Sequence, residues 1–286
     1  MAISRRTLLE LSLTGAAGLA AGRGLAVAAP DGTETLAADF EVYFDTLGYR
    51  PLPPLDMITG ESFNGGLRYD DTRLDNPANA TLCLQPSARI GDIAERGKPG
   101  VLALFTICAL RQPEPAAPGM LFGQILDFLV SGRKLDPERM VFVSTEVFEP
   151  YGEQYGTVRA GQFLKRSTDE AMAAGDGSGY FGPRDHPARP GFATVSIHYP
   201  LAGAVGSGLS YPPEGYQEIA EIGISPLEGA GGAEVGGFGL ERVVLAEGGA
   251  IPDFEQSRLA LLQLVEDEAQ SSGKDLPPGY DSFTAL

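Results

Sequence analysis

The ten-residue segment Glu234-Val-Gly-Gly-Phe-Gly-Leu-Glu-Arg-Val243 constrains the fold of this chain more than any other. A strand-like run at 216–225 precedes the segment, and an apolar, helix-like run from Leu240 to Ala246 leaves it. The glycines carry no Cβ, so the backbone can come close to a ligand there. Arg242, one turn into the predicted helix, can offer a fixed fork of N–H donors to a phosphate or carboxylate. The segment therefore predicts a glycine-rich turn between a strand and a helix, with an anion site beside it.

The first 29 residues have the pattern of an export signal. Ser4-Arg-Arg-Thr-Leu-Leu9 is a twin-arginine pattern, an uncharged run follows from Leu11 to Ala21, and small residues at 26–29 form a cleavage site. The apolar run is too short to span a bilayer stably. We therefore predict a twin-arginine (Tat) signal peptide at 1–29, export to a periplasmic or extracellular location, and no membrane insertion after its removal. An ordinary amphipathic N-terminal helix is the alternative.

The charge balance is strongly acidic. The formal net charge is −17, and without residues 1–29 it becomes −19, with 18 basic against 37 acidic side chains. Proteins that neutralise phosphate backbones carry basic patches, so we expect no nucleic-acid partner and no attraction to an anionic membrane surface. Two histidines and two distant cysteines show no metal-ligand spacing, so no metal site is evident. The anion site predicted beside Arg242 instead favours a small-molecule ligand as the partner.

Residues 30–286 are numerous enough to form one large domain. Apolar periodicity predicts helices at 33–47, 120–130, 158–174 and 254–270, and strands at 81–89, 101–109, 140–145, 192–199 and 218–225. A polar loop at 91–100 joins the first two strands, and a glycine-rich connector at 228–233 precedes the glycine-rich turn. Helices mixed with hairpin-linked strands favour an α+β fold, in which helices flank an antiparallel sheet, over a Rossmann type.

The order of these elements resembles the catalytic domain of class II aminoacyl-tRNA synthetases, and most of all that of alanyl-tRNA synthetase. The strand, the string Gly-Phe-Gly-Leu-Glu-Arg242 and the helix are similar to motif 3, whose arginine holds the γ-phosphate of ATP. Gln85-Pro-Ser-Ala-Arg89 and the strand after it resemble motif 2, whose arginine grips the α-phosphate. The resemblance spans about 34–265. It implies a class II fold, ATP or an adenylate as ligand, and a homodimer as the candidate assembly.

Several positions depart from the family's pattern. The aspartate that binds the substrate ammonium is replaced by Val235, and the asparagine that assists it corresponds to Glu221. Glu221 is either a substitute partner for an ammonium or a surface charge. The strand of motif 2 lacks the nucleotide-holding side chains, and the sequence has no counterpart of the tRNA-recognition, editing or zinc-binding parts. The resemblance thus implies an exported, degenerate paralogue that no longer charges tRNA.

The same resemblance supplies the main site candidates. Arg89 and Arg242 are the catalytic candidates, because adenylate formation depends on positioning and on stabilising phosphate charge. Their alternative role is in structural salt bridges, with Glu95 and Glu241 respectively. The ligand-binding candidates are Glu221, Val235, Gly237, Gly239 and Glu241.

His198 is a further catalytic candidate, as an acid or base. Strand alternation places it on one face together with Ser196 and Thr194. A satisfied structural histidine is the alternative. Ser207 and Ser210 are weak nucleophile candidates, because their loop has no Gly-x-Ser-x-Gly elbow, and we expect that loop to be a lid.

Cys83 and Cys108 fall on the two strands of the predicted motif 2 hairpin. If Ile90 opposes Val101, the two thiols face each other, and the cross-strand Cβ distance of about 4.5–5.5 Å approaches that of a disulfide. Export to an oxidising compartment makes the bond feasible, so we predict a Cys83–Cys108 disulfide. Two reduced core residues, in a register shifted by one, are the alternative.

These features predict an exported synthetase-like domain that binds ATP, an adenylate, or an amino or carboxylic acid ligand, and that catalyses acyl activation or transfer. One alternative is a non-catalytic exported binding or interaction protein that keeps only the fold. Another is a hydrolase that uses His198 near Ser196 or Glu221.

Overall fold

The computed structural model of the protein describes residues 31–59, 62–63, 79–113, 116–117, 119–148, 163–174, 177–181, 192–201, 210–226 and 233–286. The predicted signal peptide at 1–29, the greater part of the predicted lid with Ser207, and the connector at 228–232 lie outside these ranges. Within them, no helix combines the length and apolar character needed to cross a membrane.

The described part of the chain contains the following helices: α1 (Asp31–Thr46), α2 (Met120–Asp127), α3 (Thr168–Ala174), α4 (Leu240–Ala246), α5 (Phe254–Ser272) and α6 (Tyr280–Thr284). Short 3-10 helices occur at Ile90–Glu95 and Pro137–Arg139, and a π-helical turn at Phe128–Gly132 extends α2. The strands are β1 (Arg50–Pro51), β2 (Ile58–Thr59), β3 (Ser62–Phe63), β4 (Thr81–Ser87), β5 (Phe105–Gln112), β6 (Val141–Thr145), β7 (Phe163–Arg166), β8 (Tyr180–Phe181), β9 (Phe192–Pro200), β10 (Tyr216–Pro226) and β11 (Glu234–Gly239).

One nine-stranded sheet organises the fold. Its order is β1-β4-β5-β11-β10-β9-β6-β7, with β8 paired to β9 beside this path. The pairs inside the sheet are antiparallel, whereas β1 pairs with β4 and β7 pairs with β6 in parallel near its two edges. The predicted fold class, an α+β domain in which helices flank an antiparallel sheet, is confirmed.

The main apolar core lies on one face of the sheet, beneath α1, α2 and α4. Leu36, Phe40 and Phe44 recur every four residues along α1 and are fully buried, so α1 buries one apolar stripe. The Phe128 ring stacks on Phe238 of β11 with 5.4 Å between ring centroids, and the Phe40 ring meets Phe238 edge-on. The central strand is thereby fixed to the helical layer on this face.

A second apolar cluster joins the C-terminal helices to the end of β4. Helix α5 begins with a reciprocal capping box between Asp253 and Gln256 and buries Leu261 and Val265 in this cluster. The carboxylate of Glu268 accepts hydrogen bonds from the backbone N–H groups of Met57 and Ile58, at 2.7 and 2.8 Å. This contact holds segment 57–58 against α5.

The predicted helix at 158–174 is wrong in part. Residues 163–166 form β7, which pairs in parallel with β6, and helix α3 begins only at Thr168. The exposed edge of β6 offers backbone partners to this segment, and such pairing overrides its local helical pattern.

The predicted glycine-rich turn before Leu240 is also wrong. Glu234–Gly239 is a strand, hydrogen-bonded to β5 on one side and to β10 on the other. Helix α4 then follows at Leu240 without an intervening turn. The glycines therefore lie in the middle of the sheet.

The predicted Cys83–Cys108 disulfide is wrong as well. The strand register pairs Cys83 with Ala109 and Leu84 with Cys108, one residue away from the predicted pairing. Adjacent positions of a strand point to opposite faces, so the two thiols lie on opposite sides of the sheet. Both cysteines are buried and neither forms a disulfide.

Candidate functional site

The face of the sheet opposite the aromatic core carries the polar residues. Strand register aligns Ala109, Gly237, Glu221 and Ser196 in one row across β5, β11, β10 and β9. We call this side of the sheet the polar face. Ala109 and Gly237, at the centre of this row, have little or no side chain. The backbone there is therefore not covered by bulky side chains.

The glycines of β11 serve two different purposes. A Cβ on Gly237 would collide with the carbonyl oxygen of Cys108, so the close approach of β5 requires glycine at that position. A Cβ on Gly239 would lie 3.2 Å from Cδ and 3.4 Å from Cγ of Arg242. Gly237 therefore maintains strand packing, whereas Gly239 gives room to the Arg242 side chain.

Arg242 crosses the end of the sheet and reaches β10. Its Nη1 donates a 3.1 Å hydrogen bond to the carbonyl oxygen of Glu218 and lies 3.9 Å from Glu218 Oε1. The side chain remains 28% exposed. An arginine has five N–H donors, and within the described residues this one uses a single hydrogen bond, so it has donors left for an anion.

Arg89 lies immediately before the 3-10 helix at Ile90–Glu95 and is exposed. Its guanidinium carbon lies 5.4 Å from the centroid of the Phe105 ring, a cation–π contact. Burial raises the pKa of the Asp92 carboxyl, while the charges of Arg89 and Arg242 both lower it. Asp92 therefore lies within electrostatic range of both predicted arginines.

The alternative salt-bridge partners of the two arginines are engaged elsewhere. Glu95 pairs with Lys98 at 2.8 Å. Glu241 is buried, and its two oxygens accept from the backbone N–H of Thr106 at 2.9 and 3.1 Å. Burial is the main reason that the pKa of Glu241 is raised. Glu241 thus ties α4 to the start of β5.

His198 lies on β9 at the same end of the sheet as Arg242. It pairs with Glu218 on β10 and with Val141 on β6. The residue is 7% exposed, and its buried Nε2 atom has no hydrogen-bond partner in the described part of the chain. Burial first, and then the Arg242 charge, lower the pKa of His198 to about 4, so its imidazole is neutral near pH 7.

A β-bulge brings two glutamates of β10 to the polar face. Register shifts between Glu218 and Ala220, so Ile219 has no cross-strand partner and packs in the apolar core. Glu218 then pairs with His198 and Glu221 pairs with Ser196, residues that share one face of β9. A regular strand would have placed Glu218 and Glu221 on opposite faces.

Glu221 lies beneath the segment at 177–179. A Cβ on Gly177 would lie 3.1 Å from Glu221 Oε1, and Ser178 Oγ lies 3.2 Å from Ser196 Oγ. The Thr194 hydroxyl donates to the carbonyl oxygen of Gly177 at 2.7 Å. This part of the polar face is therefore covered by protein, unlike the end that carries Arg242.

Val235 lies on the polar face and is buried, between Arg111 on β5 and Gly223 on β10. The structure thus brings Arg89, Arg242 and His198 to one end of the sheet, and Glu221 and Val235 to its middle. Among the described residues no group of three or more His, Cys, Asp or Glu side chains could hold a metal ion.

The sequence interpretation also missed charged residues on or beside this face, among them Asp92, Arg111 and Glu218. Strand alternation from Ala109 could have placed Arg111 on the polar face. The position of Glu218 on this face could not be predicted, because it depends on the bulge at Ile219 and bulges leave no simple pattern in the sequence. Asp92 was hidden in a segment interpreted as loop.

No protein-family model matches the chain, and no curated protein matches it. Among solved structures, the crystal structure of apo S. aureus histidyl-tRNA synthetase is similar with 9% sequence identity and a TM-score of 0.43, over 77% of this chain and 67% of that one.

Proposed function

We propose that this protein binds a small anionic ligand, an adenylate or another nucleotide, at the end of the polar face that carries Arg242 and Arg89. The observation that carries the proposal is the geometry of Arg242. Its stem lies along Gly239, its side chain is partly exposed, and one hydrogen bond to the Glu218 carbonyl leaves further donors for a phosphate or carboxylate.

The motif resemblance makes the proposal more specific. The strings that end in Arg89 and Arg242 resemble motifs 2 and 3 of class II synthetases, so the domain is proposed to be synthetase-like and related to alanyl-tRNA synthetase. Val235 cannot replace the family's ammonium-binding aspartate, and the acidic chain does not suit a nucleic acid. The proposed activity is therefore acyl activation or transfer on a small molecule, without the charging of tRNA.

Affinity measurements on the full chain test the binding proposal. The probes are ATP, AMP, pyrophosphate and a non-hydrolysable alanyl-adenylate mimic, studied by titration calorimetry. Hydrogen bonds to charged groups contribute about 1.5–3 kcal/mol, so Arg242→Ala should weaken binding by roughly 10- to 100-fold. Arg139→Ala is the matched control, because it removes the same charge from an exposed side chain that stacks on Tyr199.

Two outcomes would overturn the proposal. Absence of binding for all four probes removes the nucleotide site. Equal affinities for the Arg242→Ala and Arg139→Ala variants would place the ligand away from Arg242. Binding without ATP–pyrophosphate exchange, in the presence of amino or carboxylic acids, would favour the non-catalytic binding protein.

Export through the Tat pathway is a separate part of the proposal. It rests on the pair Arg5-Arg6 and the small-residue cleavage site at 26–29. A fusion of residues 1–35 to a reporter that is active only after folded export should be transported. The same fusion with Lys at both arginine positions should remain inside the cell.

A further inference from the structure

One buried nitrogen at the Arg242 end of the polar face has no hydrogen-bond partner among the residues that the structure describes. This atom, His198 Nε2, is shielded from solvent by its surroundings. A buried polar atom left without a partner costs on the order of 1–3 kcal/mol, so such atoms are rare in folded proteins. An orphaned donor or acceptor next to a partly exposed arginine is the arrangement expected of a site that is completed by a ligand.

The neighbours of His198 restrict what this nitrogen can bind. Across β10 it faces Glu218, whose carbonyl oxygen is already held by Arg242, and across β6 it faces the apolar Val141. Arg242 of α4 is the nearby cation, and its charge, with burial, keeps the imidazole neutral near pH 7. A neutral imidazole carries one N–H donor and one acceptor nitrogen.

We propose that His198 is a binding residue of the Arg242 site, and that its Nε2–H donates a hydrogen bond to the anionic group that Arg242 holds. The inference rests on the proposed function, and it specifies the ligand further. The ligand presents a phosphate or carboxylate with one oxygen turned towards Arg242 and another towards β9. His198 adds an uncharged donor to the site. It therefore favours a ligand that has an acceptor oxygen within hydrogen-bonding distance of Nε2, and it adds no charge.

Two substitutions at His198 distinguish the contributions of its two ring nitrogens to ligand binding. The side-chain amide of Gln reaches about the position of Nε2, whereas that of Asn reaches about the position of Nδ1. His198→Gln should therefore keep the affinity for AMP and pyrophosphate within about threefold of wild type. His198→Asn should lose roughly 10-fold or more, the effect of one hydrogen bond to a charged group. Within the described part of the chain Nε2 makes no hydrogen bond that either change would remove, so we expect both variants to fold.

A nitrogen-15 NMR measurement on the protein without a substitution at His198 tests the same inference independently. The full chain has two histidines, so nitrogen-15 labelling gives two imidazole spin systems, and His186→Gln assigns them. Saturation with AMP should shift the Nε2 resonance of His198 and slow exchange of its proton with water. The His186 signals should remain unchanged.

The outcomes distinguish this inference from the proposed function. If Arg242→Ala weakens AMP binding while His198→Asn and the Nε2 resonance show no effect, the inference about His198 is wrong and the anion site stands. If none of ATP, AMP, pyrophosphate and the alanyl-adenylate mimic binds, both fail. Equal losses for His198→Gln and His198→Asn would also overturn the inference, because the effect would then not depend on a donor at the Nε2 position.

Discussion

The two ends of the segment from Glu234 to Arg242 differ in how their polar groups are satisfied. At the first end the Glu234 carboxylate is fully buried and accepts from the backbone N–H groups of Gly119 and Leu121, at 2.5 and 2.7 Å. At the other end, within the described residues, Arg242 retains donors and His198 Nε2 has no hydrogen-bond partner. A charged group whose bonds are filled by backbone is structural, whereas spare hydrogen-bonding capacity is what the proposed anion site requires.

The prediction with the largest expected effect on stability tests the structural role of Glu234. Glu234→Ala would leave the first N–H groups of α2 buried without an acceptor, and we expect a loss of about 4 kcal/mol in the free energy of unfolding. Glu234→Gln keeps one acceptor oxygen and should lose about half as much. Urea unfolding measures both. AMP affinity of the folded protein should remain unchanged, and a clear loss of affinity in the Gln variant would show that the two ends are not separate in function.

The second prediction tests whether His198, at the proposed binding end, is buried in the folded protein. The pKa of His198 is lowered to about 4 from a usual value of 6.5, so between these pH values the unfolded chain binds a proton that the folded protein does not. Stability is therefore lost as pH falls from about 6.5 to 4, by up to ~3 kcal/mol from this group.

The His198→Gln variant isolates that contribution. Its side chain does not titrate, so its stability should fall less than that of wild type between pH 6.5 and 4, when both are measured by urea unfolding. The other titrating groups, including Asp92 and Glu241 nearby, are common to both proteins and largely cancel in the difference. Parallel curves would mean that His198 is accessible to water, and the contrast with the Glu234 end would weaken.

The sequence predicted the elements that depend on local pattern. Helices α1, α4 and α5 follow from apolar spacing and caps, and strand alternation correctly placed His198 with Ser196 on one face. The proposed binding end also depends on features that leave no such pattern. The bulge at Ile219 turns Glu218 towards His198, and a register one residue from the expected one separates Cys83 from Cys108.

The glycines of β11 show the limit of local reasoning most clearly. Three glycines in six residues favour a turn when they are considered alone, because glycine weakens a strand interior. Gly237 is nonetheless in a strand, since the carbonyl of Cys108 occupies the space that any Cβ would need. That requirement comes from β5, more than a hundred residues away in the sequence, and only the folded sheet reveals it.

The smallest expected effect on stability tests the link between Gly239 and Arg242. In Gly239→Ala the new methyl group would lie 3.2 Å from Arg242 Cδ, and a flexible side chain can move to relieve such a contact, so the stability loss should stay below about 1 kcal/mol. The guanidinium, however, would shift away from the Glu218 carbonyl. AMP affinity should fall by roughly three- to tenfold, or about 1 kcal/mol.

Gly91→Ala is the matched control for this last prediction. A Cβ on Gly91 would meet no atom within 4 Å, although this residue lies in the 3-10 helix beside Asp92. It should leave both stability and AMP affinity unchanged. If Gly239→Ala behaved in the same way, Gly239 would not be what positions Arg242. The spare donors of that arginine would then be a consequence of its exposure rather than of a site formed for a ligand.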